Sequence, residues 1–147
     1  MSENAGPREI FEQMQRHWLE PAGRFGDLLA DDAIVETPFA PPGSPTRVEG
    51  REEWLRRTEP ERANFPVRFE EVRNVVVHET ADPEVIVVEY ELAGVIPATG
   101  YRGSESFIGV LRVREGKVVH WREYQNTLAI AAVLGRLPDL AAAYGGS

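Results

Sequence analysis

Between Val85 and Leu92 the chain alternates Ile86, Val88, Tyr90 and Leu92 with Val87, Glu89 and Glu91. A period of two belongs to a strand with one face buried, and a slip of one residue would exchange the faces, so the segment sets element type and register together. It places Tyr90 on the buried side. Valine-rich Val67–His78 precedes it across an ADPE turn, while Tyr101–Arg114 and Lys117–Gln125 follow, joined by the tight connection REGK. Gly94, Pro97 and Gly100 predict a break before Tyr101. The second half of the chain therefore reads as a long antiparallel meander.

The first half reads differently. Pro7 suits a first helical turn, and Ile10, Phe11, Met14, His17 and Trp18 recur at helical spacing, predicting a helix to about Glu20 that Pro21 interrupts. A shorter helical piece carries Phe25, Leu28 and Leu29, and Ala33–Thr37 reads as a first strand. The stretch PFAPPGSPTR has four prolines and is expected to lie outside the sheet as an extended loop able to wall or cover a pocket. Gly50–Arg57 predicts a short helix burying Trp54 and Leu55. The tail, Thr127–Tyr144, is expected to be helical in part, divided by Gly135 and Pro138. Helices followed by a meander predict an α+β class. A chain of 147 residues suits one domain, 1–147, with one core.

Composition narrows the function. With 24 acidic against 16 basic residues the formal charge is -8, which repels a phosphate backbone, so no nucleic-acid partner is expected. The absence of cysteine removes thiolate nucleophiles and sulfur metal sites. The three histidines lack metal-ligand spacing, so neither a metal nor another cofactor is expected. No apolar run is long enough to span a bilayer and the N-terminus does not resemble a secretory signal, which predicts a cytoplasmic protein without membrane attachment. Neither a Ser-His-Asp pattern nor a glycine-rich phosphate loop is present.

Two stretches carry a family resemblance. DDAIVETPFAPPGSPTRVEGREEW resembles the strand, proline loop and EGRE helix of SnoaL-like, ketosteroid-isomerase-type proteins. VLRVREGKVVHWREYQNTLAIAAVLG is similar to their closing hairpin, and above all to that of the phenazine-biosynthesis condensing proteins, whose last strand carries an R-E-Y/F motif. The resemblance implies a cone-shaped curved antiparallel sheet wrapped around N-terminal helices, of the cystatin-like α+β barrel kind. It further implies a homodimer with a pocket at one end. Reactions in this superfamily range from isomerisation and cyclisation to none.

The resemblance also selects residues. Where the steroid isomerases end their first strand with a proton-shuttling aspartate, this chain has Val35, Glu36, Thr37 and Pro38, and threonine cannot act as a base near neutrality. Glu36 is expected to face outward as a solvated charge. Glu123 matches the glutamate of the R-E-Y/F motif, which serves the phenazine proteins as pocket acid/base. In a desolvated setting its pKa would rise above the free value; paired with Arg122 or Arg102 it would be structural instead. His17, on the apolar side of the first helix, is a candidate ligand-binding or proton-transfer group. Trp18, Thr37, Phe39, Trp54, Tyr90, Trp121 and Gln125 are the expected substrate-binding residues. The reading is a cofactor-free cyclase, isomerase or condensing protein for a small apolar, cyclic or polyketide-like molecule. Its alternative is a passive binding or dimerisation module.

Overall fold

The computed structural model describes residues 4–20 and 24–145. Pro7–Leu19 forms α1, with Glu9 in its first turn and Arg16 in its last, each charge placed to complement the helix dipole. Ile10, Phe11 and Met14 are buried against the sheet as their spacing predicts. The expected interruption at Pro21 lies outside the described residues. A 3-10 turn at Phe25–Leu28 runs directly into β1, Leu29–Glu36, which starts earlier than expected and leaves Thr37 just beyond its end. The Thr37 N–H donates to the Thr46 carbonyl at 2.9 Å, closing the base of the proline loop.

The loop's last residue corrects one expectation. Arg47 opens β2, Arg47–Glu49, which pairs antiparallel with β1, because once the prolines end the backbone recovers its donors. α2, Arg51–Asn64, likewise runs past the expected Arg57 and through Pro60. The missing Pro60 N–H removes one helical bond, while the Asn64 side-chain amide donates to the Pro60 carbonyl at 3.1 Å.

The meander is present as β3, Arg68–Glu79, β4, Val85–Ile96, β5, Tyr101–Arg114, and β6, Lys117–Gln125. In the REGK connection Glu115 and Gly116 have φ of 53° and 75°, the two positive values that a type I′ hairpin requires. Gly94 does not break β4. It pairs with Gly103, and a Cβ at Gly94 would stand 2.8 Å from the Arg68 carbonyl, so the glycine serves the close approach of β3. The break is confined to the turn after Ile96.

Strand order is β2-β1-β6-β5-β4-β3. β1 runs parallel to β6, so the curved sheet is mixed rather than wholly antiparallel, and it is not closed into a barrel. The whole meander separates the two strands in sequence, which supplies the long connection that parallel pairing needs. α1 lies against the inner face of β3, β4 and β5. There Phe11, Met14, Val88, Tyr90 and Leu111 are at most 2% exposed. Burying such side chains contributes roughly 1.5–3 kcal/mol each. At the C-terminus, α3, Thr127–Val133, is capped by Asn126, whose Oδ1 accepts the Ala129 N–H at 3.1 Å. α4, Leu137–Gly145, follows a turn in which Gly135 has φ of 70°; Pro138 belongs to the first turn of α4 and is not a divider. The fold is α+β: among the described residues, four α-helices accompany a six-stranded curved sheet.

Candidate active site

The strands point Trp121, Glu123 and Gln125 inward, because Trp121 pairs with Leu111 and Glu123 with Gly109 on the buried side of β5. His120, Arg122 and Tyr124 face outward. The pairing of Glu123 with a glycine has a steric consequence. A Cβ at Gly109 would fall inside the Trp121 indole, so glycine is what lets that ring lie across β5 beside the carboxyl group.

Tyr90 arrives from β4, with its hydroxyl donating to Glu123 Oε2. Its ring stacks on Trp18 at 5.2 Å and on Phe107 at 5.5 Å, and it is 2% exposed. Tyr90 thus touches the site through Glu123, as part of the wall behind the carboxyl group. Burial pushes the Glu123 carboxyl above its usual range, an effect the Tyr90 hydrogen bond offsets in part. Burial, and then the neighbouring Glu123, push the Tyr90 hydroxyl well above its own usual value, keeping it a neutral donor. Neither anticipated arginine partner reaches Glu123. Arg102 pairs with Glu70, and Arg122 extends over the outer face toward Glu36 at 3.9 Å.

Glu123 opens on a cavity of about 550 Å³ between α1, α2 and the sheet, lined also by His17, Trp18, Thr37, Trp54 and Trp121. The His17 Nδ1 accepts the Arg24 backbone N–H at 2.8 Å. An amide can only donate, so the neutral ring carries its proton on Nε2, which remains available as a donor. A second space of about 310 Å³ adjoins the first and brings in Gln125 together with Leu92, Phe107 and Ile130. The Gln125 amide is directed to Thr127 Oγ1 at 3.2 Å.

Phe39 is the expected pocket residue that stands elsewhere. It is 56% exposed, packs edge-on against outward-facing Tyr124 at 5.4 Å, and its carbonyl accepts the Thr127 hydroxyl. The proline loop accordingly sits on the outer side of the sheet and does not wall the cavity. Glu36 does face outward, yet it is largely covered: its carboxylate meets His120 Nε2, with Arg47 and Arg122 each at 3.9 Å. Thr58, Phe65, Val67 and Phe69 line the cavity and were missed as ligand-facing positions. The apolar Phe65–Phe69 stretch was the available signal, obscured because it straddles a loop and the start of β3.

Glu123 is thus a carboxyl group whose charged form burial disfavours and one of whose oxygens is held by Tyr90. Trp18, Trp54 and Trp121 give the cavity aromatic walls, and the His17 Nε2–H stands on the same lining. No helix among the described residues is long and apolar enough to cross a membrane.

The SnoaL-like domain model matches residues 8–121 and ends just short of Glu123. An uncharacterized PhzA/B-like protein of Pseudomonas aeruginosa is 38% identical over 111 residues, covering 74% of this chain and 75% of that protein. The crystal structure of a Bacillus subtilis protein named as a candidate isomerase has 25% identity and a TM-score of 0.79, covering 88% and 92% of the two chains. A phenazine biosynthesis-related protein of P. aeruginosa shares the fold at 22% identity and a TM-score of 0.64, covering 87% and 86%. With the curved sheet, the cavity under α1 and the R-E-Y stretch on the closing strand, these matches establish that the chain belongs to the SnoaL-like family.

Proposed function

We propose that the protein is a cofactor-free acid/base catalyst for a small, largely apolar and cyclic molecule, performing isomerisation or ring closure. The observation that carries the reading is Glu123: a carboxyl group desolvated on a cavity wall, without a cationic partner among the described residues, and oriented by Tyr90. As carboxylate it takes a proton from a carbon made acidic by a neighbouring carbonyl. As acid it returns that proton elsewhere on the same molecule, so atoms and charge balance with no second reactant. The His17 Nε2–H stabilises the oxygen on which charge develops. Trp18, Trp54 and Trp121 orient the ring, so much of the rate comes from positioning and exclusion of water. The name of the Bacillus relative, a candidate isomerase, points the same way.

A passive binding module is the competing reading, favoured by Thr37 standing where a steroid isomerase has its acid. A test that needs no substrate separates the two roles of Glu123. A carboxyl whose folded pKa exceeds its unfolded value contributes stability that is complete below the unfolded value and lost as pH rises through the folded one. Glu123→Gln should therefore melt higher than wild type at about pH 8, with the advantage shrinking at about pH 5. A variant that melts lower at the higher pH makes Glu123 a structural group.

The same proposal includes a homodimer through the outer sheet face. Val76 and Ile108 are 47% and 45% exposed there, beside Phe39 and Tyr124. Such apolar area on a sheet face suits an isologous interface of roughly 1,200–2,000 Å². Light scattering at micromolar concentration should give twice the monomer mass, and a monomer mass removes this part of the proposal.

A further inference from the structure

The two spaces around Glu123 share a wall. Trp18, Phe65, Val67, Phe69 and Glu123 line both, so they are two lobes of one cavity with the carboxyl group at their junction. The lobes differ in chemistry. The inner wall of the smaller lobe is Leu92, Val95, Phe107 and Ile130, with Val133 of α3 and Leu134 just past its end completing it and Ser104 and Glu105 on its lining from β5. The larger lobe carries hydrogen-bonding groups: the His17 imidazole and the hydroxyls of Thr37 and Thr58. Its charged lining, Glu20, Glu61 and Glu123 against Arg62 and Arg68, offers a carboxylate no excess of the opposite sign.

The geometry points to one elongated ligand that spans both lobes, with an apolar ring in the smaller lobe and a neutral hydroxyl- or carbonyl-bearing end in the larger. The reacting centre then lies between the two ends, against Glu123. This substrate class rests on the acid/base reading of Glu123, and it adds a specificity element that reading does not contain: α3 and its C-terminal cap, where Ile130, Val133 and Leu134 determine how long a molecule the site accepts. α3 is well placed for this, because Thr127 at its start accepts the Gln125 amide of β6 and donates to the Phe39 carbonyl.

Titration calorimetry with three probes tests the inference on the intact chain. 4-Phenylphenol should bind at least about 10-fold more tightly than phenol, the gain expected from burying one further ring. Biphenyl-4-carboxylate should bind more weakly than 4-phenylphenol, since the larger lobe favours no charge. Val133→Trp, at a partly exposed position, should fill the smaller lobe and bring the 4-phenylphenol to phenol ratio within about 3-fold of unity. Ile130→Phe provides the same test if the first variant does not fold, as judged by its circular dichroism melt. A ratio near unity in wild type, a ratio unchanged in a folded lobe-filling variant, or tighter binding of the carboxylate overturns the two-lobed ligand. The Glu123 titration, followed by carboxyl carbon NMR, reports separately on the acid/base reading. A raised value with a flat probe ratio sinks the ligand class alone, and an ordinary value with a steep ratio sinks the acid/base reading while leaving the two-lobed binding in place.

Discussion

Glu123 and Glu84 belong to the same sheet region and lie at opposite extremes of carboxyl behaviour. Glu84, at the entry to β4, receives Arg112 and Arg114 through three nitrogen–oxygen contacts of 2.9 Å between their guanidinium groups and its two oxygens, and the hydrogen bonds from Arg114 and Arg112 hold its pKa at about 2. Glu123 faces an apolar wall, receives one hydroxyl, and is pushed the other way by burial. The sequence suggests the reverse, since Arg122 adjoins Glu123 while Glu84 has no arginine near it in the chain. What differs is the face: alternation sends Arg122 away from Glu123, whereas Arg112 and Arg114 both reach Glu84 at the end of the hairpin. One carboxylate is fixed in its charged form, and the other is kept ready to change it.

The largest effect should come from removing that readiness. Glu123→Gln preserves shape and removes titration, so with a turned-over substrate kcat should fall by about 10² to 10⁴-fold while affinity stays within a few fold. Steady-state kinetics check this, and an unchanged kcat ends the analogy with a proton shuttle. Next, Gly109→Ala should push the Trp121 indole off β5, costing roughly 1–3 kcal/mol by overpacking. It should also admit water and move the Glu123 pKa back toward its ordinary value, making Glu123 more like Glu84. Chemical denaturation and carboxyl NMR measure the two parts.

Tyr90→Phe is a smaller perturbation with the opposite sign on the titration. Losing the hydrogen bond that favours the charged form should raise the Glu123 pKa further, and any acid limb of the pH profile should move up with it. The lost bond costs about 1 kcal/mol of stability. A downward shift would mean that Tyr90 does not donate to the ionised form. Smallest of all, Glu84→Gln should barely change melting at neutral pH, because the pair is solvent-screened. The depressed pKa of Glu84 gives stability present above the unfolded value of 4.5 and lost as pH falls toward about 2. The variant should therefore lose part of the wild type's sensitivity to acid in that window, as melts between these pH values will register.

Local patterns made much of this molecule legible in advance. The amphipathic face of α1, the alternation that buries Tyr90 and the turn chemistry of Glu115 and Gly116 each depend on near neighbours in the chain. Glu123 was legible through its motif, which chose the inward face that alternation alone left open. What escaped depends on distant pairing. Nothing near β1 indicates that it lies parallel to β6, and β2 is too short to carry a pattern. Phe39 looks like a pocket aromatic until the proline loop is seen to run along the outer side, toward Tyr124. The second lobe escaped because its walls come from β3, β4, β5 and α3, which only the folded sheet brings together.

The parallel seam between β1 and β6 has a consequence for how the chain comes to be folded. The contact of Glu36 with His120 spans 84 residues, and β1 has no ladder partner other than β6 and the three-residue β2. During synthesis α1 and β1 emerge first, yet the surface that receives β1 is complete only when the final strand has left the ribosome. Phe11 and Met14, among the most buried side chains of the finished molecule, must wait without that cover. Closing so long a loop is entropically slow, so the meander is the part able to form by itself and the N-terminal segment docks last. Two strands far apart in the chain are thus stitched together in the closing step, and nascent chains truncated before β6 are the species from which aggregation should begin.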